Sequence, residues 1–461
     1  MIDVDLFVGS DNLRIDIHNN RLQHNKSYIL FNIISINNKT IGNICLWVVL
    51  FTSFYYPIGV GLVLFLRLPS TSVNIILRTI PALAALYLFV VYILSAKKSI
   101  QFTREIWFLL LFWLFYSVRI LYDLGRGIRF ADYGNETIYG ITFGNILMPI
   151  LATILWAKHI EIERVVQVLY ALFVVNNVVI FTILMSQNNL GIGIFATRPE
   201  IWGNTPTKSD LSILNPITIS LYGEMLTIAT IYFLTIAKTG KKIVLIPLLA
   251  LGIVVLVLGS SRGPFFNCII CIVLLFVYKY SYFQPKLLSL LKFFFGIVIS
   301  LVIIVKIFEQ FISVEDFNLI TRLVRFSEER QYGVVEYRDI QFASAWQDFL
   351  DSPIIGKQFV GTLDNFYPHN IVLEILMATG IVGAIIFGLF FVPFLKRVKQ
   401  ILIQKNPNYI FLVFIFIPIL LGSLFSGSLY QSVDLWLIMV LILAMPLQNI
   451  DANSSFGQQN I

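Results

Sequence analysis

The stretch YPHNIVLEILMATGIVGAIIF, residues 367 to 387, begins with side chains that can do chemistry and continues as an apolar segment. Pro368 suits the first turn of a helix, which places His369 and Asn370 at its N-terminal end. The positive end of the helix dipole disfavours an imidazolium, so we expect His369 to stay neutral and able to accept a proton. Asn370 and Glu374 share a helix face, because residues four apart are neighbours on an α-helix. The alternative is a histidine that only caps the helix.

A second short motif, GSSRGPFF at residues 259 to 266, presents an arginine at a turn. Gly263 suits the end of one helix and Pro264 the first position of the next. Arg262 is thereby held between two apolar helices, and its planar guanidinium suits phosphate or carboxylate. The alternative for Arg262 alone is an anchor at the membrane surface.

The composition identifies the class of protein that must position these residues. The chain has 461 residues, of which 57% are hydrophobic and 13% charged, and its mean hydropathy is +0.82. A soluble domain carries about 25% charged residues. Apolar runs of about 20 residues recur along the chain, and spans of this length satisfy their backbone hydrogen bonds as helices. The sequence therefore predicts an all-α polytopic transmembrane bundle.

We expect about twelve membrane spans, so both termini lie on the same side. The Lys-rich loops SAKKSIQFTRE, AKTGKK, KYSYFQPKLLSLLK and LKRVKQILIQK alternate along the chain and mark that side as cytoplasmic. Residues 1–40 and 448–461 are then cytoplasmic tails of a transmembrane domain at 41–447. The predicted spans are 42–66, 76–95, 105–123, 139–157, 165–185, 213–237, 243–260, 264–280, 288–307, 370–395, 409–428 and 432–447.

This topology sorts the basic residues unequally. It places 14 of the 17 lysines on the cytoplasmic side and 11 of the 16 arginines on the outer side. Outer arginines oppose the positive-inside rule, so a function in binding anions is one explanation. The alternative is snorkelling and structural ion pairs. The outer arginines are Arg67, Arg78, Arg119, Arg126, Arg129, Arg198, Arg262, Arg322, Arg325, Arg330 and Arg338.

The largest hydrophilic segment is an outer loop at about 308–369. Within it, YRDIQFASAWQDFLDSPIIG places four apolar residues at helical spacing, and Pro353 and Gly356 end the helix. Such a helix is suited to the membrane surface as a lid over a site below. Its apolar stripe comprises Phe342, Trp346, Phe349 and Leu350.

The sequence offers little for metal or nucleotide chemistry. It has four histidines, and His369 is the only one on the predicted outer side, which argues against a histidine metal site. There is also no Gly-rich nucleotide loop. From these two observations together we expect neither a metal nor a cofactor. Since ATP and nucleotide sugars are absent outside the cytoplasm, a reaction there needs an activated substrate such as a lipid diphosphate.

Two features lie inside the predicted spans. Glu224 is an ionisable residue within a span and therefore a functional candidate, with a structural pair to an arginine of a neighbouring helix as the alternative. Cys268 and Cys271 have redox-motif spacing, but they lie in an apolar helix, and packing explains them better.

The order of these motifs resembles that of the O-antigen ligase and O-antigen polymerase superfamily. The resemblance covers roughly residues 243–395, and the segment RPEIWGN, with Arg198, resembles an arginine-bearing outer loop of the same family. The pattern is an S-R-G turn, a long outer loop with R…W…P..G, and H-N-x-x-L-E-x-x-x-x-x-G-x-x-G opening a span. The matching residues are Ser261, Arg262, Gly263, Arg338, Trp346, Pro353, Gly356, His369, Asn370, Leu373, Glu374, Gly380 and Gly383.

The resemblance implies a metal-independent glycosyltransferase at the periplasmic face of the bacterial inner membrane, with a fold akin to the C-type membrane glycosyltransferases. Its donor would be a glycan linked to undecaprenyl diphosphate. By this resemblance His369 is the base or orienting group for the acceptor hydroxyl, and Arg262 and Arg338 stabilise the leaving diphosphate. The other candidate substrate-binding residues are Arg198, Arg322, Arg325, Asn370 and Glu374.

Three functions remain open. YPHNIVLEIL is closer to the polymerase form, which favours an O-antigen polymerase that joins lipid-linked repeat units. A ligase would transfer the same glycan to lipid A core, and a flippase for lipid-linked sugars is the alternative from another class. The expected partners are the lipid-linked donor and acceptor, membrane lipid, a chain-length regulator and a flippase, with no nucleic acid.

Overall fold

The computed structural model describes residues 38–95, 102–130, 138–187, 214–237, 239–283, 295–296, 319, 321 and 335–446. Within these ranges the chain is built of helices, as predicted for an all-α membrane protein. The helices are α1 Asn38–Phe54, α2 Tyr56–Leu66, α3 Ser70–Ser95, α4 Arg104–Gly125, α5 Gly140–His159, α6 Ile162–Gln187, α7 Pro216–Ile236, α8 Thr239–Leu258, α9 Arg262–Phe283, α10 Tyr337–Asp351, α11 Ile371–Gln404, α12 Pro407–Phe425 and α13 Val433–Ala444.

Eight helices in the described part of the chain are long and apolar enough to cross a membrane, or nine if the bent pair α1 and α2 counts as one span. Lys242–Leu258 in α8 and the whole of α13 are apolar but shorter. The predicted span 42–66 corresponds to α1 and α2 together, and each of the other predicted spans except 288–307 overlaps one helix. The span 288–307 lies outside the described residues apart from Phe295 and Gly296. The multi-pass helical class is confirmed, whereas the count of about twelve is not.

The first predicted span is broken rather than straight. α1 and α2 meet at an angle of 70°, and Pro57 stands in the first turn of α2. Proline has no N–H and its ring excludes a continuous helix, so a sharp bend at this position has a covalent cause. The break places Tyr55 and Tyr56 at the corner between the two helices.

The centre of the bundle is α7, which contacts α6, α8, α9 and α12. Small residues bring α7 and α8 together, since a side chain at Gly223 would collide with the backbone of Leu256 and one at Gly252 with Thr227. A second core joins α4, α11 and α13 through aromatic rings. Trp113 and Trp436 are 4.9 Å apart between ring centroids, and Phe112 lies 5.3 Å from Phe387.

The helix predicted in the long outer loop is present as α10, which ends at Asp351 before Pro353, as expected. Its protein-facing side is partly polar and includes Gln341 and Asp348. Of the predicted apolar stripe Phe349 is buried, but Trp346 and Leu350 are 47% and 50% exposed. An outward apolar face suits a helix that lies against lipid.

The segment after α10 packs against α11 at a point where that helix is interrupted. Gly380 has non-helical angles, with φ of 61° and ψ of −161°. The carbonyl of Pro353 accepts a hydrogen bond from the N–H of Ile381 at 2.8 Å, and the Lys357 N–H donates to Met377 at 2.8 Å. A side chain on Gly380 would collide with the Ile354 carbonyl. The P..G and G-x-x-G motifs of the sequence therefore meet in one backbone crossing.

We predict that Gly380→Ala lowers the thermal unfolding temperature of the purified protein in detergent. The added methyl group must displace backbone in a left-handed conformation, which costs on the order of 2–3 kcal/mol. Gly388→Ala in the same helix is the matched control, because nothing lies within 4 Å of the new methyl group. The control should be neutral or slightly stabilising. Equal melting temperatures for the two variants would contradict the tight crossing.

Candidate functional site

Two adjoining cavities lie at one end of the bundle, where α7, α9 and α11 begin and α12 ends. The larger has a volume of about 400 Å³ and includes His369 in its wall. The smaller, of about 280 Å³, is lined by Arg262, Glu336 and Arg338. Ile217 and Gly263 line both cavities, so the two spaces meet at the S-R-G turn.

His369 lies just outside the helix that sequence reasoning assigned to it. α11 begins at Ile371, and Asn370 is its N-cap, accepting hydrogen bonds from the N–H groups of Val372 at 2.9 Å and Leu373 at 3.1 Å. Pro368 therefore precedes the helix instead of forming its first turn, and Asn370 rather than His369 is the capping residue. His369 has a left-handed φ of 53°, a conformation that costs energy in a non-glycine residue.

The imidazole of His369 is held in the neutral form. Its ring lies 4.5 Å from that of Tyr367. Burial, followed by the positive charge of Arg338, lowers its pKa from 6.5 to about 4, against weaker opposing effects of the Ser426 backbone and Asp364. Nδ1 is buried without a hydrogen-bond partner in the described part of the protein. A neutral ring with an open nitrogen can accept a proton, and burial and the charge of Arg338 favour its neutral form.

The two candidate arginines are brought together although they belong to different helices. Arg262 is the first residue of α9, and its Nη2 lies 2.6 Å from Oε1 of Glu336. Arg338 is in the first turn of α10, and its Nη1 donates to the carbonyl of Phe425 at 3.3 Å. Both guanidinium groups line the smaller cavity, and the charge of Arg338 also reaches His369. The S-R-G turn, the long loop and the H-N motif thus converge.

Glu374 has a different environment from the one expected of a substrate-binding residue. Its side chain is 0% exposed and lines neither cavity. Oε1 accepts a hydrogen bond from the Tyr116 hydroxyl at 2.6 Å, and Oε2 accepts one from the Leu429 N–H at 2.8 Å. Both oxygens are therefore engaged by protein, so we infer that Glu374 positions the start of α11, and its assignment to the substrate stays a prediction.

Four of the outer arginines in the described part of the chain have one of two roles. Arg119 donates to the carbonyls of Ile355 and Gly356, both at 2.8 Å, and of Lys357 at 3.1 Å, so it fixes the loop that precedes His369. Arg78, Arg262 and Arg338 instead line the cavities. The predicted site residues Arg198, Arg322 and Arg325 lie outside the described residues.

Sequence reasoning missed part of the cavity wall. Asp434, Asn267 and Tyr222 line the larger cavity. Each is a single polar residue in or beside an apolar span, which is the same kind of signal as Glu224. Glu224 lines neither cavity, and neither of its carboxylate oxygens has a hydrogen-bond partner among the described residues. Those residues also contain no cluster of three or more His, Cys, Asp or Glu side chains suited to a metal ion.

Residues 247–388 match the Wzy_C family model, described as O-Antigen ligase. The matched segment contains Arg262, Arg338 and His369, and the match confirms the resemblance to the O-antigen polymerase and ligase superfamily. No curated protein sequence matches the chain. The members of this family are glycan-transferring enzymes, and the matched segment contributes residues to both cavities.

We predict that the His369 imidazole titrates near pH 4 in the folded protein. A neighbouring positive charge disfavours imidazolium, so Arg338→Ala should move this pKa upward, while burial keeps it below the ordinary 6.5. The measurement is NMR of ¹³C-labelled histidine in detergent, with the signal assigned by its loss in His369→Ala. Arg126→Ala is the control, because this arginine packs on Tyr122 and lines neither cavity. A His369 pKa near 6.5, or one unmoved by Arg338→Ala, would contradict the arrangement.

Proposed function

We propose that the protein is an O-antigen polymerase that joins oligosaccharide repeat units linked to undecaprenyl diphosphate. The observation that carries the proposal is a neutral histidine with an open nitrogen beside a cavity lined by two arginines. All three residues fall within the segment that matches the O-antigen ligase family. We place the reaction at the periplasmic face of the bacterial inner membrane, with both termini in the cytoplasm.

In the proposed reaction the acceptor hydroxyl attacks the anomeric carbon of the donor. His369 takes the hydroxyl proton as the new C–O bond forms. The bond between the anomeric carbon and the diphosphate breaks, and the diphosphate leaves with the electron pair. A direct displacement inverts the configuration at the anomeric carbon, and no metal ion takes part.

The arginine-lined cavity suits the leaving group. Two guanidinium groups provide planar donor pairs that match phosphate oxygens and stabilise the charge that develops as the bond breaks. The Glu336 carboxylate at 2.6 Å holds the Arg262 guanidinium in place. Binding a diphosphate then needs little reorganisation of Arg262.

A ligase is the second candidate, because the matching family model is described as O-Antigen ligase. Both enzymes use the same kind of lipid-linked donor and differ in the acceptor, which is another lipid-linked unit for the polymerase and lipid A core for the ligase. The form YPHNIVLEIL favours the polymerase. A separate flippase and a chain-length regulator are the partners that we expect for a polymerase.

We predict that Arg262→Ala lowers the rate of glycan transfer by about ten- to hundredfold, since a charge-assisted hydrogen bond contributes roughly 1.5–3 kcal/mol. Arg262→Lys should restore only part of the rate, because a lysine cannot form the planar pair of hydrogen bonds. The measurement is transfer between purified lipid-linked units in detergent.

Two controls separate catalysis from structure. Glu336→Gln removes the ion-pair partner of Arg262 but leaves the guanidinium, so it should cost less than Arg262→Ala. Lys242→Ala changes an exposed basic residue near the start of α8 and should leave the rate unchanged. Full activity of Arg262→Ala would reduce this residue to an anchor.

His369→Ala in the native host distinguishes the candidate functions, provided that the variant accumulates at normal levels. Loss of a polymerase leaves the separate ligase and flippase intact, so we expect surface lipopolysaccharide with core plus one repeat unit and no ladder on a gel. Loss of a ligase would leave the core bare and polymer on its lipid carrier. Loss of a flippase would trap units in the cytoplasmic leaflet. A normal ladder would refute the role of His369.

A further inference from the structure

The larger cavity has a polar wall that the proposed chemistry does not use. Five residues from five different parts of the fold form this wall: Tyr55 at the bend between α1 and α2, Arg78 on α3, Tyr222 on α7, Asn267 on α9 and Asp434 on α13. Nε of Arg78 donates to the Tyr55 hydroxyl at 3.0 Å. Asp434 lies close enough to Tyr222 for its charge to act on the Tyr222 hydroxyl. We call these five residues the polar wall.

Two groups in the polar wall, the amide of Asn267 and the carboxylate of Asp434, can form further hydrogen bonds. Nδ2 of Asn267 is buried without a partner in the part of the protein that the structure describes, and the residue is 2% exposed. Buried polar groups are nearly always paired, so an amide that faces a cavity without a protein partner is a donor available to a ligand with an acceptor. Asp434 accepts from the Leu435 N–H at 2.9 Å through Oδ1 and also from its own backbone N–H, and it forms no ion pair within the described residues. Its second oxygen can accept from a ligand.

The chemistry of the polar wall fits a neutral ligand rich in hydroxyl groups. It carries one positive side chain, Arg78, and one negative side chain, Asp434, so it gives no net preference for an anion. Amide and carboxylate groups can pair with hydroxyls as donor and acceptor, and the aromatic rings of Tyr55 and Tyr222 provide apolar surfaces with polar tips. A volume of about 400 Å³ is within the range of small-molecule sites. A sugar has these properties.

The position of the polar wall relative to His369 indicates whether it binds the donor sugar or the acceptor sugar. In the proposed function, on which this inference rests, the donor diphosphate lies between Arg262 and Arg338 in the smaller cavity. His369 borders the larger cavity and is electrostatically coupled to Arg338, so it lies on the side where the two spaces meet. Asp434 and Tyr222 line the larger cavity and not the smaller one. We propose that the polar wall is the binding subsite for the acceptor sugar, with Asn267 and Asp434 as its hydrogen-bonding residues.

The test separates acceptor binding from donor binding. The donor is the repeat unit on polyprenyl diphosphate, and the acceptor is the same unit as a short alkyl glycoside, which cannot act as a donor. Asp434→Asn keeps the shape of the side chain, and Asn267→Ala removes the unpaired amide. Loss of a hydrogen bond to the acceptor should raise its KM about tenfold in each variant. The donor KM should stay within about twofold of wild type, a split that a merely structural role would not produce.

Glu105→Gln is the control variant, because Glu105 lies in the first turn of α4 and lines neither cavity. An unchanged acceptor KM in both test variants, or an equal rise of both KM values, would overturn the inference. Direct binding of the alkyl glycoside to the purified protein, followed by intrinsic fluorescence, gives a second readout. If wild type binds the glycoside and Asp434→Asn does not, the sugar subsite stands even where no transfer occurs, and only the proposed function fails.

Discussion

The buried carboxylate of Glu374 is the interaction on which the candidate site depends. A carboxylate removed from water is costly unless both of its oxygens are hydrogen-bonded. Glu374 meets this condition with the hydroxyl of Tyr116 on α4 and the N–H of Leu429 in the loop before α13. Two separate parts of the chain, α4 and the loop before α13, are thereby fixed to the first turn of α11. Breaking either contact would leave a buried polar group unpaired, so the start of this helix has little freedom to shift.

His369 stands immediately before this fixed turn, and two further contacts determine the path of the chain that leads to it. Arg119 binds three consecutive carbonyls of the segment from Ile355 to Lys357. The same segment passes so close to Gly380 that no side chain fits there. A left-handed backbone at His369 is tolerable because the structure on both sides of it is fixed. The strain at His369 is thus supported by contacts that do not touch the cavity themselves.

The sequence predicted the helices well because membrane spans must bond their own backbone and carry apolar surfaces. It also predicted that the S-R-G turn, Arg338 and His369 belong to one site. It could not predict the role of Glu374, since the spacing to Asn370 does not reveal that Tyr116, 258 residues away, supplies the hydroxyl. Nor did a glycine within an apolar span reveal the break at Gly380, because the same pattern is typical of close helix packing. Asp434 is a lone acid whose surroundings arise only from tertiary contacts.

The positive charge of Arg338 acts both on His369 and on the cavity assigned to the diphosphate. After burial, which is the larger cause, its charge lowers the pKa of His369, and the same guanidinium lines the cavity assigned to the diphosphate. In the proposed reaction a bound diphosphate neutralises part of this charge. The pKa of His369 then rises, because the neighbouring charge that disfavoured imidazolium is offset by a negative one. The histidine therefore becomes a stronger base when the donor is in place. Removal of the proton from the acceptor hydroxyl then depends on the presence of the donor that this hydroxyl attacks.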